Sequence, residues 1–293
     1  MRLGGKKLRV AFVALYLALL YLILSRLFPR ATMLPTNPRI LAYSVLLALL
    51  AECVRAARLA LLYWGGLDAR RYMQALRARF AGNLAALITP SVAGGEVVRG
   101  LVIHGRVETK AARAITAAAV DSGADMIGNY TLALLALALG SAPAAPLPEI
   151  VAAAPAAAWL LVYALLPLRT HKRILERIAD KLDAMRLRLL SSISSLLREA
   201  AHYETEGKML AGALLLTLVA WLLQVSSYAV FAEPCYAKAL GCVTETVLMG
   251  VIPVPGGIGP GEALLATRCA GIVSWRILYT VAAVAPGALL VVK

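Results

Sequence analysis

The chain is short of residues that do chemistry in water. Its 293 residues include four cysteines and three histidines. Cys53, Cys235, Cys242 and Cys269 show no CxxC spacing and have no neighbouring histidine to complete a zinc site. They read as small buried hydrophobes, with a Cys235–Cys242 disulfide at the outer face as the alternative. Neither HExxH nor GxSxG occurs. The stretch GGIGPG lacks the GxGxxG spacing, no Walker Lys-Ser/Thr follows it, and no βαβ alternation surrounds it. These absences argue against an enzyme and predict neither cofactor nor bound metal.

What the sequence has in excess is apolar surface and positive charge: 61% hydrophobic residues and a formal charge of +14, with a mean hydropathy of +0.77. That combination excludes an ordinary soluble domain and predicts one all-α, polytopic transmembrane domain over residues 1–293. Apolar runs begin near Val10, Ile40, Ile150, Met209 and Ile272, and another covers Ala111–Leu139. Each is close to the roughly 20 residues that cross a hydrocarbon core, giving about six spans. The run Val10–Phe28 follows Arg2, Lys6, Lys7 and Arg9, is too long for a signal-peptide core and reads as a retained span. The cations gather at the termini and in short loops, which orients membrane proteins and excludes nucleic acid as a partner.

The segment SAPAAPLPE carries no Lys or Arg, whereas 169–208 is rich in both, so the first is external and the second cytoplasmic. The termini are then cytoplasmic, in a plasma membrane. NLAALITPSVAGGEVVRGLVI is flanked by Arg70, Arg71, Arg77 and Arg79 on one side and by Arg106, Lys110 and Arg113 on the other. With both ends on one face and interruptions at Pro90, Gly94 and Gly95, it reads as a re-entrant hairpin at about 80–100. Residues 240–266 give the mirror case from the outer face. The steps Gly95-Glu96 and Gly261-Glu262 follow similar Pro/Gly-broken segments, predicting an inverted repeat of two oppositely oriented hairpins. In the connector 169–208, Ile174, Ile178, Leu182, Met185 and Leu189 recur at helical spacing, either on the membrane surface or in a solvated helix.

Glu96 and Glu262 open half-helices, where unpaired N–H groups favour a carboxylate. Each either caps its own helix or shares those N–H groups with an anionic ligand. Arg99 lies one turn after Glu96 and either neutralises it or snorkels to the interface. Asp121 and Asp125 share a face, with Asn129 a turn further, and need a shared proton or a basic partner: Arg99, Arg113 or Arg268. Glu52, Arg55 and Arg58 form an internal pair plus a cation for lipid phosphate, unless Arg58 reaches the interface. An ionisable group at membrane depth costs about 2.5 to 3.5 kcal/mol, so such groups are functional candidates. Trp64, Trp159, Trp221 and Trp275 read as interface anchors or packing.

Through Pro90, Gly94, Gly95, Glu96 and Arg99, and through Pro253, Pro255, Gly256, Gly257, Gly259 and Glu262, nearly the whole chain resembles a known family. It is the flippase-like transmembrane region of lysylphosphatidylglycerol synthetases, found also in stand-alone membrane proteins. The family's next span often carries Glu-Arg and then Asp; here Asp121, Ser122 and Asp125 stand there without the Arg. The resemblance implies a lipid transporter, flippase or scramblase, for a phospholipid or a polyprenyl-phosphate-linked lipid. The synthetases' aminoacyl-transfer activity is not carried over. The substrate site expected is Gly94, Gly95, Glu96, Arg99, Asp121, Asp125, Gly256, Gly257, Gly259 and Glu262, facing an anionic headgroup. The alternatives are a small-solute or ion carrier, and a scaffold partnering cell-envelope or glycosylation enzymes.

Overall fold

A computed structural model describes residues 15, 18–19, 21–23, 25–88, 93–104, 111–142, 147–168, 170–184, 194, 198, 201–203, 205–232, 235–249 and 260–291. Among them the regular structure is helical throughout. Part of the first expected span, the break at Pro90 and residues Gly256, Gly257 and Gly259 lie outside the described residues.

Helix α1 covers Pro38–Trp64. The Asn37 side chain accepts a hydrogen bond from the Arg39 N–H, proline fills the first turn, and left-handed Gly65 ends the helix with its N–H on the Leu61 carbonyl. A hairpin follows, α2 (Ala69–Ile88) and α3 (Ala93–His104), and then the long α4 (Ala111–Ala138). Next come α5 (Leu147–Leu165) and the connector helix α6 (Thr170–Ala184). The last helices are α7 (Gly207–Phe231), α8 (Tyr236–Leu248), α9 (Pro260–Leu265) and α10 (Ile272–Val291).

Among the described residues, two helices are both long and apolar enough to cross a bilayer by composition: Pro148–Leu165 at mean hydropathy 1.6 and Gly207–Phe231 at 2.0. Helices α1 and α4 have the length, 27 and 28 residues. Their apolar runs are interrupted by Glu52, Arg55 and Arg58 in the first and by Asp121 and Asp125 in the second. All of these except Asp125 are buried. Leu46, Leu50, Leu160, Leu161, Leu215 and Leu222 are exposed instead. An apolar exterior around a charged interior is the arrangement that lipid as solvent favours.

Helices α1 and α7 pack antiparallel along their lengths. Near one end the Ser44 hydroxyl donates to the Ser227 carbonyl at 3.0 Å, and the Ser227 hydroxyl donates to the Ser44 carbonyl at 2.9 Å. Toward the other end Arg58 reaches Thr217. In the α2/α3 hairpin the Gln74 amide donates to the Ile103 carbonyl at 3.1 Å. A β-carbon on Gly95 would lie 2.8 Å from the Gly82 carbonyl oxygen, so the crossing needs glycine at that point. Likewise a β-carbon on Gly261 would meet the Thr246 carbonyl at 2.4 Å, holding α9 against α8. The hairpins also cross over: α2 packs on α10, and α8 packs on α4.

The disulfide differs from the pairing considered in the sequence. Cys242 bonds Cys269, while Cys235 is free and exposed. Cys235 stands before α8, whereas Cys242 lies on the buried face of α8, opposite the turn that follows α9. Trp221 and Trp275 are packing residues: both are buried, and the Trp275 indole N–H donates to the Ser227 hydroxyl. In the connector, Arg198 pairs with Asp180 at 2.8 Å and Asp183 at 2.7 Å. The Ser194 hydroxyl, and after it Arg198, hold the Asp183 carboxyl below the usual carboxylate range. Ile174 and Ile178 stay exposed on α6.

Candidate functional site

The middle of α1 presents Glu52, Arg55 and Arg58 at successive turns, and each finds partners on other helices. Glu52 accepts from Arg55 at 3.0 Å, from Arg79 and Asn83 at 2.9 Å, and from the Tyr279 hydroxyl at 2.8 Å. One carboxylate thus ties α1 to α2 and α10. Arg58 donates to Asp121 at 2.6 Å, to both oxygens of Asp125 at 2.9 and 2.8 Å, and to the Thr217 hydroxyl at 2.8 Å. It is 0% exposed, so it does not snorkel to the interface.

Arg79 donates to Glu52 at 2.9 Å and to Asp121 at 3.1 Å, and its remaining terminal nitrogen lies 3.4 Å from Asp125. Arg55 gives its Nε to Asp125 at 3.1 Å, one terminal nitrogen to Glu52 and the Tyr279 hydroxyl, and the other to Gln224. Its guanidinium also sits 5.1 Å from the centre of the Trp221 ring. Desolvating this many charges is costly, and the cluster offsets that only because almost every donor has an acceptor.

The Asp pair is therefore answered by arginines, but not by those the sequence suggested. Arg113 and Arg268 are exposed. Arg99 alone of the three comes near, at 3.8 Å from Asp121. It donates to the Ser122 hydroxyl at 3.1 Å and to the Asn83 side-chain oxygen at 3.0 Å.

Beside the cluster is a cavity of about 290 Å³ between α1, α2, α3, α4, α7, α8 and α10. Its charged lining is Arg55, Arg79, Arg99 and Arg276 against Glu52 and Asp125. Asp121 and Glu262 are fully buried and do not line it. Four guanidiniums and two carboxylates line the space, with Asp121 and Glu262 buried behind them, so the lining carries net positive charge. Asn83, Asn129, Gln224 and Tyr279 add neutral polar groups.

Of the predicted site residues, Arg99 and Asp125 line the cavity, and Asp121 supports it. Glu262 lies 3.4 Å from Arg276. Glu96, half-buried one turn before Arg99, is hydrogen-bonded to Ser122. Gly95 serves the hairpin crossing, with half-buried Gly94 beside it.

Sequence reasoning missed Arg79, which it treated as a cytoplasmic flank, and also Arg276. A signal existed for the first. Arg79 and Asn83 fall on the small-residue face of α2 with Ala75, Ala78 and Gly82, whereas Arg70 falls off it and is exposed. Arg276 stood alone in an apolar helix, with no partner at helical spacing to mark it.

The family model described as the lysylphosphatidylglycerol synthase TM region matches residues 8–284. No curated protein and no solved structure matches the chain.

Proposed function

The chain belongs to the family of the lysylphosphatidylglycerol synthase TM region, and from that premise we propose that it moves an anionic lipid between membrane leaflets. The headgroup passes the arginine-lined cavity while the acyl chains stay in the bilayer. Glu96, Arg99, Asp121, Asp125 and Glu262 belong to that polar path, and the lipid is a phospholipid or a polyprenyl-phosphate-linked lipid. Movement is either driven, as in a flippase, or downhill, as in a scramblase.

In this reading α1–α4 and α7–α10 are inverted halves, each made of a helix, a broken pair and a further helix. The antiparallel packing of α1 on α7 supports it, and so does the exchange by which α2 contacts α10 and α8 contacts α4. The broken pairs act as re-entrant hairpins from opposite faces, and about six helices span the bilayer. The protein would sit in the plasma membrane with both termini cytoplasmic, as the loop charges favour.

The observation that carries the reading is the cavity lining, in which Arg55, Arg79, Arg99 and Arg276 outnumber Glu52 and Asp125 among helices with apolar exteriors. Two of these guanidiniums, Arg99 and Arg276, have no hydrogen bond at Nε among the described residues, which is costly at membrane depth without an anion to receive. The test is reconstitution in liposomes with dye-labelled phosphatidylglycerol and phosphatidylcholine, followed by an impermeant quencher. Labelled phosphatidylglycerol should cross faster with the protein than without it, and Arg99→Gln should slow that crossing. If no lipid crossed under any ion gradient, the function would be wrong.

A further inference from the structure

The arginines around the cavity are not equivalent. Arg55 and Arg79 are saturated, because each of their guanidinium nitrogens has an acceptor on the protein. Arg99 and Arg276 are not. Arg99 is 5% exposed, yet its Nε has no hydrogen-bond partner among the described residues. Among the described residues its terminal nitrogens hydrogen-bond the neutral Ser122 and Asn83 side chains, and a carboxylate oxygen of Asp121 lies 3.8 Å away. The Arg276 Nε likewise lacks a hydrogen bond among the described residues. Its contact to Glu262 is long, 3.4 Å.

These two guanidiniums come from different halves of the fold. Arg99 is on α3, in the first broken pair, and Arg276 is on α10, beside Glu262 of the second. Both line the same cavity.

We infer that Arg99 and Arg276 form one two-sided phosphate subsite, each half of the fold supplying a guanidinium, with Glu262 as the internal counterion that the phosphate displaces from Arg276. The inference rests on the lipid-transport reading for its biological ligand, but its chemistry concerns any phosphate ester.

The physical argument is one of competition. A buried guanidinium needs a counter-charge, and Glu262 supplies a poorly placed one at 3.4 Å. A phosphate offers several acceptor oxygens, so it can accept from Arg99 on one side and Arg276 on the other at full hydrogen-bond distance. Binding would then draw α3 and α10 together, and loss of the phosphate would return Arg276 to Glu262. Glu262 therefore opposes binding and favours release. It is not a contact of the substrate.

The test is equilibrium binding of water-soluble dihexanoyl phosphatidylglycerol to the purified full chain in detergent, measured by calorimetry, with inorganic phosphate as a second arm. Arg99→Gln and Arg276→Gln should each weaken binding by about tenfold to a hundredfold. The double variant should be much less weakened than the product of the two, because one phosphate bridges both. Arg276→Lys should retain part of the affinity and serves as the folding control, alongside thermal unfolding of every variant.

Glu262→Gln should tighten binding severalfold. Phosphate binding with the same arginine dependence, without lipid binding, would keep the subsite and identify its ligand as a free phosphate. Binding indifferent to Arg276→Gln, additive losses in the double variant, or weaker binding in Glu262→Gln would each overturn the subsite. Arginine-dependent binding with no lipid transfer in liposomes would overturn the transport reading alone. Lipid transfer with binding indifferent to Arg276→Gln would overturn the subsite alone.

Discussion

Arg58 of α1 and Asp121 of α4 meet at 2.6 Å with neither side chain exposed. Asp121 also accepts from Arg79, and Arg58 also grips Asp125, so the pair stands buried behind the residues that line the cavity. Removing one member of a buried ion pair leaves an uncompensated charge, at a cost of about 3 to 5 kcal/mol. Arg58→Met and Asp121→Leu should each lower the thermal unfolding midpoint in detergent markedly, and the double variant should lose less than the sum. Losses in the single variants no larger than those of an exposed pair such as Arg71–Asp68 would show that the cluster does not hold the fold together.

The α2/α3 crossing gives a second expectation. A β-carbon on Gly82 would lie 2.3 Å from the Arg99 Cγ and 2.8 Å from the Gly95 carbonyl oxygen. Gly82→Ala must therefore move Arg99 or spread the hairpin, with overpacking of about 1 to 3 kcal/mol. The expected outcome is a folded protein with slower transfer of labelled phosphatidylglycerol. Gly207→Ala is the control, because nothing lies within 4 Å of its β-carbon. Equal transfer by both variants would mean that the position of Arg99 is irrelevant to transport.

How much of this was legible in the sequence depends on range. Local features were: the helix over Thr170–Ala184 and the face shared by Asp121 and Asp125 follow from spacing along one element. The partner of a buried charge is a long-range fact. Arg79 looked like one more cytoplasmic arginine because positive-inside reasoning counts cations without asking which helix face they occupy, and only its small-residue stripe set it apart. Asp121 was matched with Arg99, Arg113 and Arg268, whereas its closest partner is Arg58, 63 positions away. The cysteines read as buried hydrophobes, with Cys235 as the alternative partner of Cys242, whereas helix α8 turns Cys242 toward Cys269.

Glu96 supplies a further expectation. It is hydrogen-bonded to Ser122, whose hydroxyl also accepts from Arg99, so the three side chains form one chain from the hairpin to α4. Glu96→Gln keeps the size and a hydrogen-bonding amide while removing the charge that helps to orient Arg99. Transfer of labelled phosphatidylglycerol should fall severalfold with little change in thermal stability, since Glu96 lies outside the buried ion-pair cluster. A stability loss as large as that of the Asp121 variant would assign Glu96 to the fold and remove it from the polar path.

The disulfide makes the last expectation, and it also tests orientation. Cys242 and Cys269 are buried and bonded, Cys53 is half-buried, and Cys235 is exposed at the start of α8. An impermeant maleimide should label Cys235 readily in the folded protein, and should reach Cys242 and Cys269 only after reduction and unfolding, as peptide mass spectrometry can read. With a sequence separation of 27, the chain-entropy estimate gives about 3 to 4 kcal/mol of stabilisation from the bond. The Cys242→Ser, Cys269→Ser double variant should unfold at a correspondingly lower temperature. In intact cells the same reagent should label Cys235 from outside, because the second hairpin enters from the external face in the proposed topology. Labelling only after the membrane is permeabilised would invert that topology and place the arginine-flanked hairpin outside, against the distribution of loop charge.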